Sequence, residues 1–410
     1  MSSDEKYVIV GASLAGAKAA EALRDAGFDG DVLLVGDERE RPYERPPLSK
    51  GFLLGKEERE KIYVHPEGWY DEHDVELRLG TSATGLHRAS HEVELAGGER
   101  VAYDKLLLAT GASPRRLEVS GHDLEGVHYL RRARDSEALR EAFTGGGSLV
   151  VVGAGWIGLE VAAAARHYGV EVTVIEPQPA PLLAVLGREV GDIFAGLHRA
   201  HGVDLRTGSG VSGFEGDGGR VTGVRTTGGE VVPAERVVVG VGIRPNIRIA
   251  EAAGLAIEGG GVAVDEMLQT ADPAVYAAGD VASAFNPLLG ARVRVEHWAN
   301  AANQGKAAGL SMAGKGEPYV RLPYFFTDQY DLGMEYNGWV GPGGADDVVL
   351  RGDPGSGEWL AFWLSDGRVQ AGMNVNVWDQ SDAIKRLARE RAAVDRSRLA
   401  DPAIPLEDLA

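Results

Sequence analysis

The hydrophobic residues of this chain gather into short runs, separated by glycines, prolines and charges. Tyr7-Val8-Ile9-Val10 is the first run, and its β-branched content reads as a buried parallel strand. Gly11-Ala12-Ser13-Leu14-Ala15-Gly16 follows at once, and Ala17 to Arg24 has helix-forming composition. Asp31-Val32-Leu33-Leu34-Val35-Gly36-Asp37 reads as a second strand ending in an acid. Strand, glycine turn, helix, strand and acid form the order of a dinucleotide-binding βαβ unit. The turn lets backbone N–H groups approach a pyrophosphate at a helix N-terminus. Asp37, 21 residues past Gly16, stands where a carboxylate accepts ribose hydroxyls. Ser13 replaces the usual middle glycine.

Further runs repeat this grammar. Val75 to Leu79 with Thr81 to Ala83 reads as a third strand, and 92–95 with 100–103 as a hairpin around Gly97-Gly98. Lys105 to Ala112 reads as a buried strand leading into a small-residue turn. Ser148 to Val152 is then a strand, Gly153-Ala154-Gly155-Trp156-Ile157-Gly158 a complete G-x-G-x-x-G, and Leu159 to His167 a helix. Glu171 to Glu176 is the second strand with its acid, 18 residues past Gly158. Two such units, about 140 residues apart, make a domain-scale repeat. Past it come a hairpin at 220–225 and 230–232, buried strands at 236–243, 262–265 and 275–280, and a helix over 301–312. From Pro318 the character changes to aromatic runs and glycine-punctuated hairpins. Asp382 to Arg398 reads as one basic amphipathic helix with Ile384, Leu387, Arg391 and Val394 at helical spacing.

Composition narrows the chemistry. A chain of 410 residues with 44% apolar and 25% charged positions fits two or three globular domains. No apolar run is long enough to cross a membrane as a helix. The polar, acidic start is unlike a signal peptide, so a cytoplasmic protein is expected. With no cysteine, a disulfide framework, a cysteine zinc site, a cysteine-bound iron–sulfur cluster and a redox thiol pair are all excluded. Redox work therefore needs a bound organic cofactor, and no metal site is expected. A net charge of −19 disfavours nucleic acid as a partner.

Two local features add detail. Glu40 to Lys50 holds three prolines and five charges, so it reads as a stiff loop that presents Arg45 and Lys50 beside the first glycine turn. Glu176 favours a free ribose 2′-hydroxyl and repels a 2′-phosphate. Pro177 to Gly187 carries no Lys or Arg, so NADH is expected over NADPH.

Several segments together carry a family likeness: Gly11 to Gly16, Arg45-Pro46-Pro47-Leu48-Ser49-Lys50, Ala109-Thr110-Gly111, Gly153 to Glu160, Gly242 to Asn246, Tyr276 to Asp280, and Tyr324 to Tyr330. In these the chain resembles the FAD-dependent NADH:ferredoxin reductases that serve oxygenase systems, within the pyridine-nucleotide–disulfide oxidoreductase fold. The resemblance implies an α/β chain with two Rossmann-like nucleotide-binding domains and a C-terminal α+β domain. The flavin domain would take residues 1–113 and 246–317, the NAD domain 114–245 and the C-terminal domain 318–410.

It also implies residue roles. Gly11, Ser13, Leu14, Ala15 and Gly16 would cradle the FAD pyrophosphate, with Asp37 on the ribose and Ala83 at the adenine. Arg45, Lys50, Thr110, Gly111 and Arg131 match flavin-site positions, with Lys50 near the reactive flavin nitrogen. Gly279 and Asp280 match the ribityl contact, and Trp298 the residue that closes over the flavin ring. Gly153, Gly155, Trp156, Ile157, Gly158, Glu176 and Gly242 match the NAD site. Glu160 would lie near the nicotinamide in an ion pair with Lys50, and these two are the catalytic candidates.

NADH gives two electrons together, whereas a [2Fe–2S] ferredoxin takes one, and a flavin bridges that mismatch. The expected activity is therefore NADH:ferredoxin reduction feeding an oxygenase, by a monomer or weak homodimer. Two rivals stand beside it: reduction of a small acceptor such as a quinone or radical, and an NADH-sensing interaction protein. An acidic ferredoxin would need a local basic surface, for which Arg131, Arg132, Arg134 or the bases of 385–398 are candidates.

Overall fold

The computed structural model describes residues 4–409, so Met1 to Ser3 of the polar start lie outside the described residues. The chain divides into two compact units. The first holds residues up to Glu44, Arg59–Ser113 and Arg244–Tyr324. The second holds Arg45–Glu58, Pro114–Ile243 and the chain from Phe325 onward.

In the first unit, the strands Lys6–Val10, Asp31–Val35, Val75–Arg78, Lys105–Leu108 and Val275–Ala277 form one parallel sheet. Lys6–Val10 is central, flanked by Asp31–Val35 and Lys105–Leu108. Val8, Ile9, Leu33, Leu34, Leu106 and Leu107 are buried, as apolar runs in a sheet covered on both faces must be. The helices Leu14–Asp25 and Trp298–Met312 pack closely through small residues. A Cβ on Gly305 would lie 2.2 Å from the Ala15 carbonyl oxygen, and one on Gly309 would lie 2.5 Å from that of Ala19. An antiparallel sheet of Ala83–His87, Glu92–Leu95 and Arg100–Ala102 completes the expected hairpin. Ala83 opens its own strand and does not extend Val75–Arg78.

The second unit repeats the parallel plan. Its sheet runs Asp204–Thr207, Glu171–Glu176, Ser148–Val152, Arg236–Val239, Val127–His128. Two helices that the hydrophobic pattern did not announce belong here: Ala133–Thr144 and Leu183–Ala200. The first is rich in charge. The second is interrupted by Gly187, whose φ of 78° breaks the helical backbone.

Residues from Tyr324 onward form a five-stranded sheet in the order Tyr324–Gln329, Leu332–Gly338, Arg368–Val375, Glu358–Ser365, Asp347–Asp353. Trp359, Trp363, Met373 and Tyr336 from this sheet share a core with Leu186, Val190 and Phe194 of the helix Leu183–Ala200. Trp363 Nε1 donates to the Leu186 carbonyl at 3.0 Å within it. That shared core is why the C-terminal sheet and the 114–243 region count as one unit. Arg45–Glu58 joins the same unit, because Leu53 is buried in that core and Tyr168 donates to the Leu53 carbonyl at 3.0 Å.

The C-terminal helix differs from its expectation. One helix covers Ser381–Glu390, Arg391 turns left-handed at φ 46°, and a second helix covers Arg396–Ala400. Ile384 and Leu387 are buried as their spacing requires, but Arg391 is exposed and ends the helix. Three bases of this region are engaged with its own residues. Arg386 donates to the Leu406 carbonyl, Arg398 to that of Asp408, and Arg396 pairs with Asp347.

Candidate functional site

The two glycine turns have the backbone that anion binding requires. In the second unit, Gly153 has φ +99°, and a Cβ there would lie 2.5 Å from the Gly240 carbonyl oxygen. A Cβ on Gly158 would lie 2.1 Å from the Gly153 carbonyl oxygen, so this glycine lets the helix Trp156–His167 sit on the turn. Gly155, at the helix N-cap, would meet nothing within 4 Å. Its missing side chain leaves open space in front of unsatisfied helix N–H groups. No acid occupies the first helical turn. The three glycines thus divide into tight turn, open cradle and helix contact, which fits a dinucleotide pyrophosphate. Glu176 accepts from Ala154 N at 2.7 Å and Gln178 N at 2.8 Å, which fixes its carboxylate at the strand end. Each oxygen keeps a lone pair for a ribose hydroxyl. Trp156 packs on Phe194 and Phe325, while Ile157 is exposed and Gly242 lies near Arg115.

The first unit carries the same geometry with serine at the cradle. Gly11 has φ +124°, with a Cβ position 2.0 Å from the Ala109 carbonyl oxygen, and a Cβ on Gly16 would lie 2.1 Å from that of Gly11. Ser13 is the extended N-cap of Leu14–Asp25, yet its hydroxyl does not cap the helix, and no acid lies in the first turn. Those N–H groups are left for an anion, so the turn fits a second dinucleotide. Leu14 and Ala15 are buried behind it, and exposed Asp37 follows the strand Asp31–Val35.

Gly279 converges on the same place, since its Cβ position lies 3.3 Å from the Ala15 Cβ and 3.8 Å from that of Ala301. Its N–H donates to Gln304 Oε1 at 2.9 Å. Half-buried Asp280 follows it, and Trp298 opens the helix Trp298–Met312. Thr110 and Gly111 are tied to Asn246: Thr110 Oγ1 donates to its carbonyl at 2.9 Å, and its N–H donates to the Gly111 carbonyl at 2.9 Å. His297, the residue before Trp298, is pushed down to about 4 by loss of water, against a smaller upward pull from Asp280.

Lys50 and Glu160 meet inside the second unit. Lys50 closes the 3₁₀ turn Pro46–Ser49, where the prolines pre-set the backbone. Its Nζ lies 2.7 Å from Glu160 Oε1 and 5.3 Å from the centre of the Phe326 ring. Glu160, only 3% exposed, accepts two further hydrogen bonds: from Ser49 Oγ to Oε2 and from Thr327 Oγ1 to Oε1, each at 2.5 Å. Three donors converge on one buried carboxylate, which is what burial of that charge demands. In the same unit Arg45 donates to the Arg131 carbonyl, and Asp135 holds the backbone N–H of Arg131 at 3.1 Å.

Ser49 and Thr327 were visible only as members of conspicuous motifs, with no role attached. The signal for Thr327 was period-two alternation: Phe325, Thr327 and Gln329 share the buried face of their strand. Among the described residues, no helix is long and apolar enough to cross a membrane, and no three His, Asp or Glu side chains gather into a metal-holding group.

Comparison with known proteins agrees over the whole length. Residues 5–305 match the pyridine nucleotide-disulphide oxidoreductase family, and residues 324–410 match a reductase C-terminal domain. The chain is 40% identical, over 99% of both sequences, to the anthranilate 1,2-dioxygenase system ferredoxin–NAD(+) reductase component of Burkholderia cepacia. It is 35% identical to the putidaredoxin reductase of Pseudomonas putida, over 100% of this chain and 97% of that one. Among solved structures it is similar to the covalent putidaredoxin reductase–putidaredoxin complex, with a TM-score of 0.95 at 35% identity, covering 99% of this chain and 98% of the other.

Proposed function

The chain belongs to the pyridine nucleotide-disulphide oxidoreductase family, and from that premise we propose that it is an FAD-dependent NADH:ferredoxin reductase serving an oxygenase. The observation that carries this reading is a pair of pyrophosphate-fitted glycine turns in a chain without a single cysteine. Two dinucleotides are bound, and no protein thiol can take the electrons onward. The overall reaction is NADH plus two oxidised ferredoxins giving NAD⁺, a proton and two reduced ferredoxins.

Bound FAD supplies the exchange between a two-electron donor and a one-electron acceptor. The protein supplies grip, orientation and charge. The turn Gly11 to Gly16 holds the FAD pyrophosphate, with Asp37 on the ribose, Ala83 at the adenine, Asp280 on the ribityl chain and Trp298 over the ring. Arg45, Thr110, Gly111 and Arg131 complete the flavin contacts. Gly153, Gly155 and Gly158 hold the NADH pyrophosphate, backed by Trp156, Ile157 and Gly242. Glu176 selects NADH, because its carboxylate accepts ribose hydroxyls and repels a 2′-phosphate. Lys50 and Glu160 act at the reacting centre. Glu160 fixes the ammonium at one point, so that its charge is in place before electrons move.

The partner is a [2Fe–2S] ferredoxin, and the protein works in the cytoplasm, where NADH is supplied, as a monomer or weak homodimer. The test is turnover with purified components. NADH should reduce a [2Fe–2S] ferredoxin faster than it reduces a quinone at equal concentration, and NADPH should support far less turnover. Fast quinone reduction with no ferredoxin reduction would overturn the assignment.

A further inference from the structure

Behind Glu160 lies a line of buried polar side chains that the proposed reaction does not use. Thr327 Oγ1 donates to Glu160 Oε1 at 2.5 Å. Gln329 Nε2 donates to Thr327 Oγ1 at 3.2 Å. The amide of Gln329 leaves its oxygen for His198, whose Nε2 lies 2.8 Å from Gln329 Oε1. Tyr330 Oη lies 3.2 Å from His198 Nδ1. Thr327, Gln329 and His198 are 1%, 1% and 0% exposed, so none is a surface contact formed by chance.

The chemistry of each group fixes the direction of the line. Glu160 only accepts, so Thr327 donates to it. Thr327 then accepts from the amide nitrogen of Gln329. The remaining amide oxygen only accepts, which requires a proton on His198 Nε2. A neutral His198 then has a bare Nδ1, and Tyr330 donates to it. Burial also disfavours a charged ring, with His201 adding a smaller push in the same direction. Every hydrogen points toward Glu160, and aligned hydrogen bonds polarise one another in sequence. An amide does not exchange protons as a hydroxyl or imidazole does, so the line carries orientation and not protons.

We propose that Tyr330, His198, Gln329 and Thr327 form a one-way hydrogen-bond relay that sets the orientation of Glu160 and, through it, of Lys50. They are positioning residues, drawn from the helix Leu183–Ala200 and the strand Tyr324–Gln329 with its following turn. Gln329, His198 and Tyr330 make no hydrogen bond to Lys50 or Glu160 themselves, so the relay predicts effects from a distance. It rests on the reading of Lys50 and Glu160 as the pair at the reacting centre.

Two measurements on the FAD-loaded protein test it. Nitrogen-15 NMR of labelled histidine should show His198 as a single neutral form protonated at Nε2. Gln329→Met should convert it to a mixture or to the Nδ1-protonated form. Stopped-flow bleaching of the flavin by NADH should have a limiting rate lowered about tenfold in Thr327→Val, the size expected for a lost hydrogen bond to a charge, and lowered by a smaller factor in Gln329→Met, whose lost bond is to a neutral hydroxyl. The apparent NADH Kd should stay nearly unchanged, and Thr327→Ser should recover most of the rate. If Thr327→Val does not fold, Gln329→Met decides. An Nδ1-protonated His198 in the unaltered protein overturns the relay. So do full limiting rates in Thr327→Val and Gln329→Met when Glu160→Gln is slow. A full rate in Glu160→Gln instead overturns the role of the pair on which the relay rests.

Discussion

At the scale of single residues, burial decides what each charge can do. Glu160 is almost fully enclosed and has Lys50 as its ion partner. Lys50→Ala should slow NADH-driven bleaching of the flavin about tenfold or more and also lower stability, because a buried carboxylate loses its counter-charge. Ser49 and Thr327 still donate to Glu160, so the variant should fold and keep its FAD. Stopped-flow rates with flavin content measured on the same sample check this. His198 gives a pH prediction. Its pKa is lowered to about 4 by burial, so the folded protein keeps it neutral while the unfolded chain protonates near pH 6.5. Stability should therefore be whole above about pH 6.5 and should fall as pH drops toward 4, by about 3 kcal/mol from this group. Urea unfolding across that range should show a shallower slope in His198→Gln than in the unaltered protein. The Lys50–Glu160 ion pair was legible, because the family resemblance implied it. His198 was not, because its neighbour Gln329 lies 131 residues away and no spacing rule connects them.

At the scale of elements, the strands were the most legible part. Ser148–Val152 and Glu171–Glu176 fall where the apolar runs place them, since a parallel strand covered on both faces must be apolar throughout. Helices were harder. Leu183–Ala200 carries Gly187, Gly191 and Gly196, residues that weaken a helical reading, and its stability comes from tertiary packing of Leu186, Val190 and Phe194. The C-terminal helix read too long, because helical spacing continued past Arg391 while the backbone turned left-handed there. The same glycines differ in what they tolerate. Gly305→Ala should cost about 2 kcal/mol or more, because its new Cβ would meet the Ala15 carbonyl oxygen and push two helices apart next to the first glycine turn. Gly196→Ala, with nothing within 4 Å of its Cβ position, should be neutral or stabilising by up to about 1 kcal/mol. Thermal melting of the two variants side by side checks the contrast.

At the scale of the whole molecule, the repeat of one βαβ plan carried most of the account. Two glycine turns with the same close contacts, one keeping an open N-cap glycine and the other a serine, allow one chain to hold two different dinucleotides. The absence of cysteine was as informative as any motif, because it closes the thiol route and leaves the flavin as the exit for electrons. The reach of the C-terminal sheet into the core of the second unit was not legible. Past Pro318 the sequence showed only aromatic runs and hairpins, and only the fold shows that Trp359, Trp363 and Tyr336 share a core with Leu186 and Phe194. The central claim is that electrons from NADH pass through bound FAD to an iron–sulfur protein. The most direct measurement is an anaerobic stopped-flow experiment on the purified protein. NADH should bleach the flavin bands in one fast phase, and two equivalents of oxidised [2Fe–2S] ferredoxin should then restore them. Protein purified without flavin absorption, or flavin that NADH bleaches and ferredoxin leaves bleached, would contradict the account.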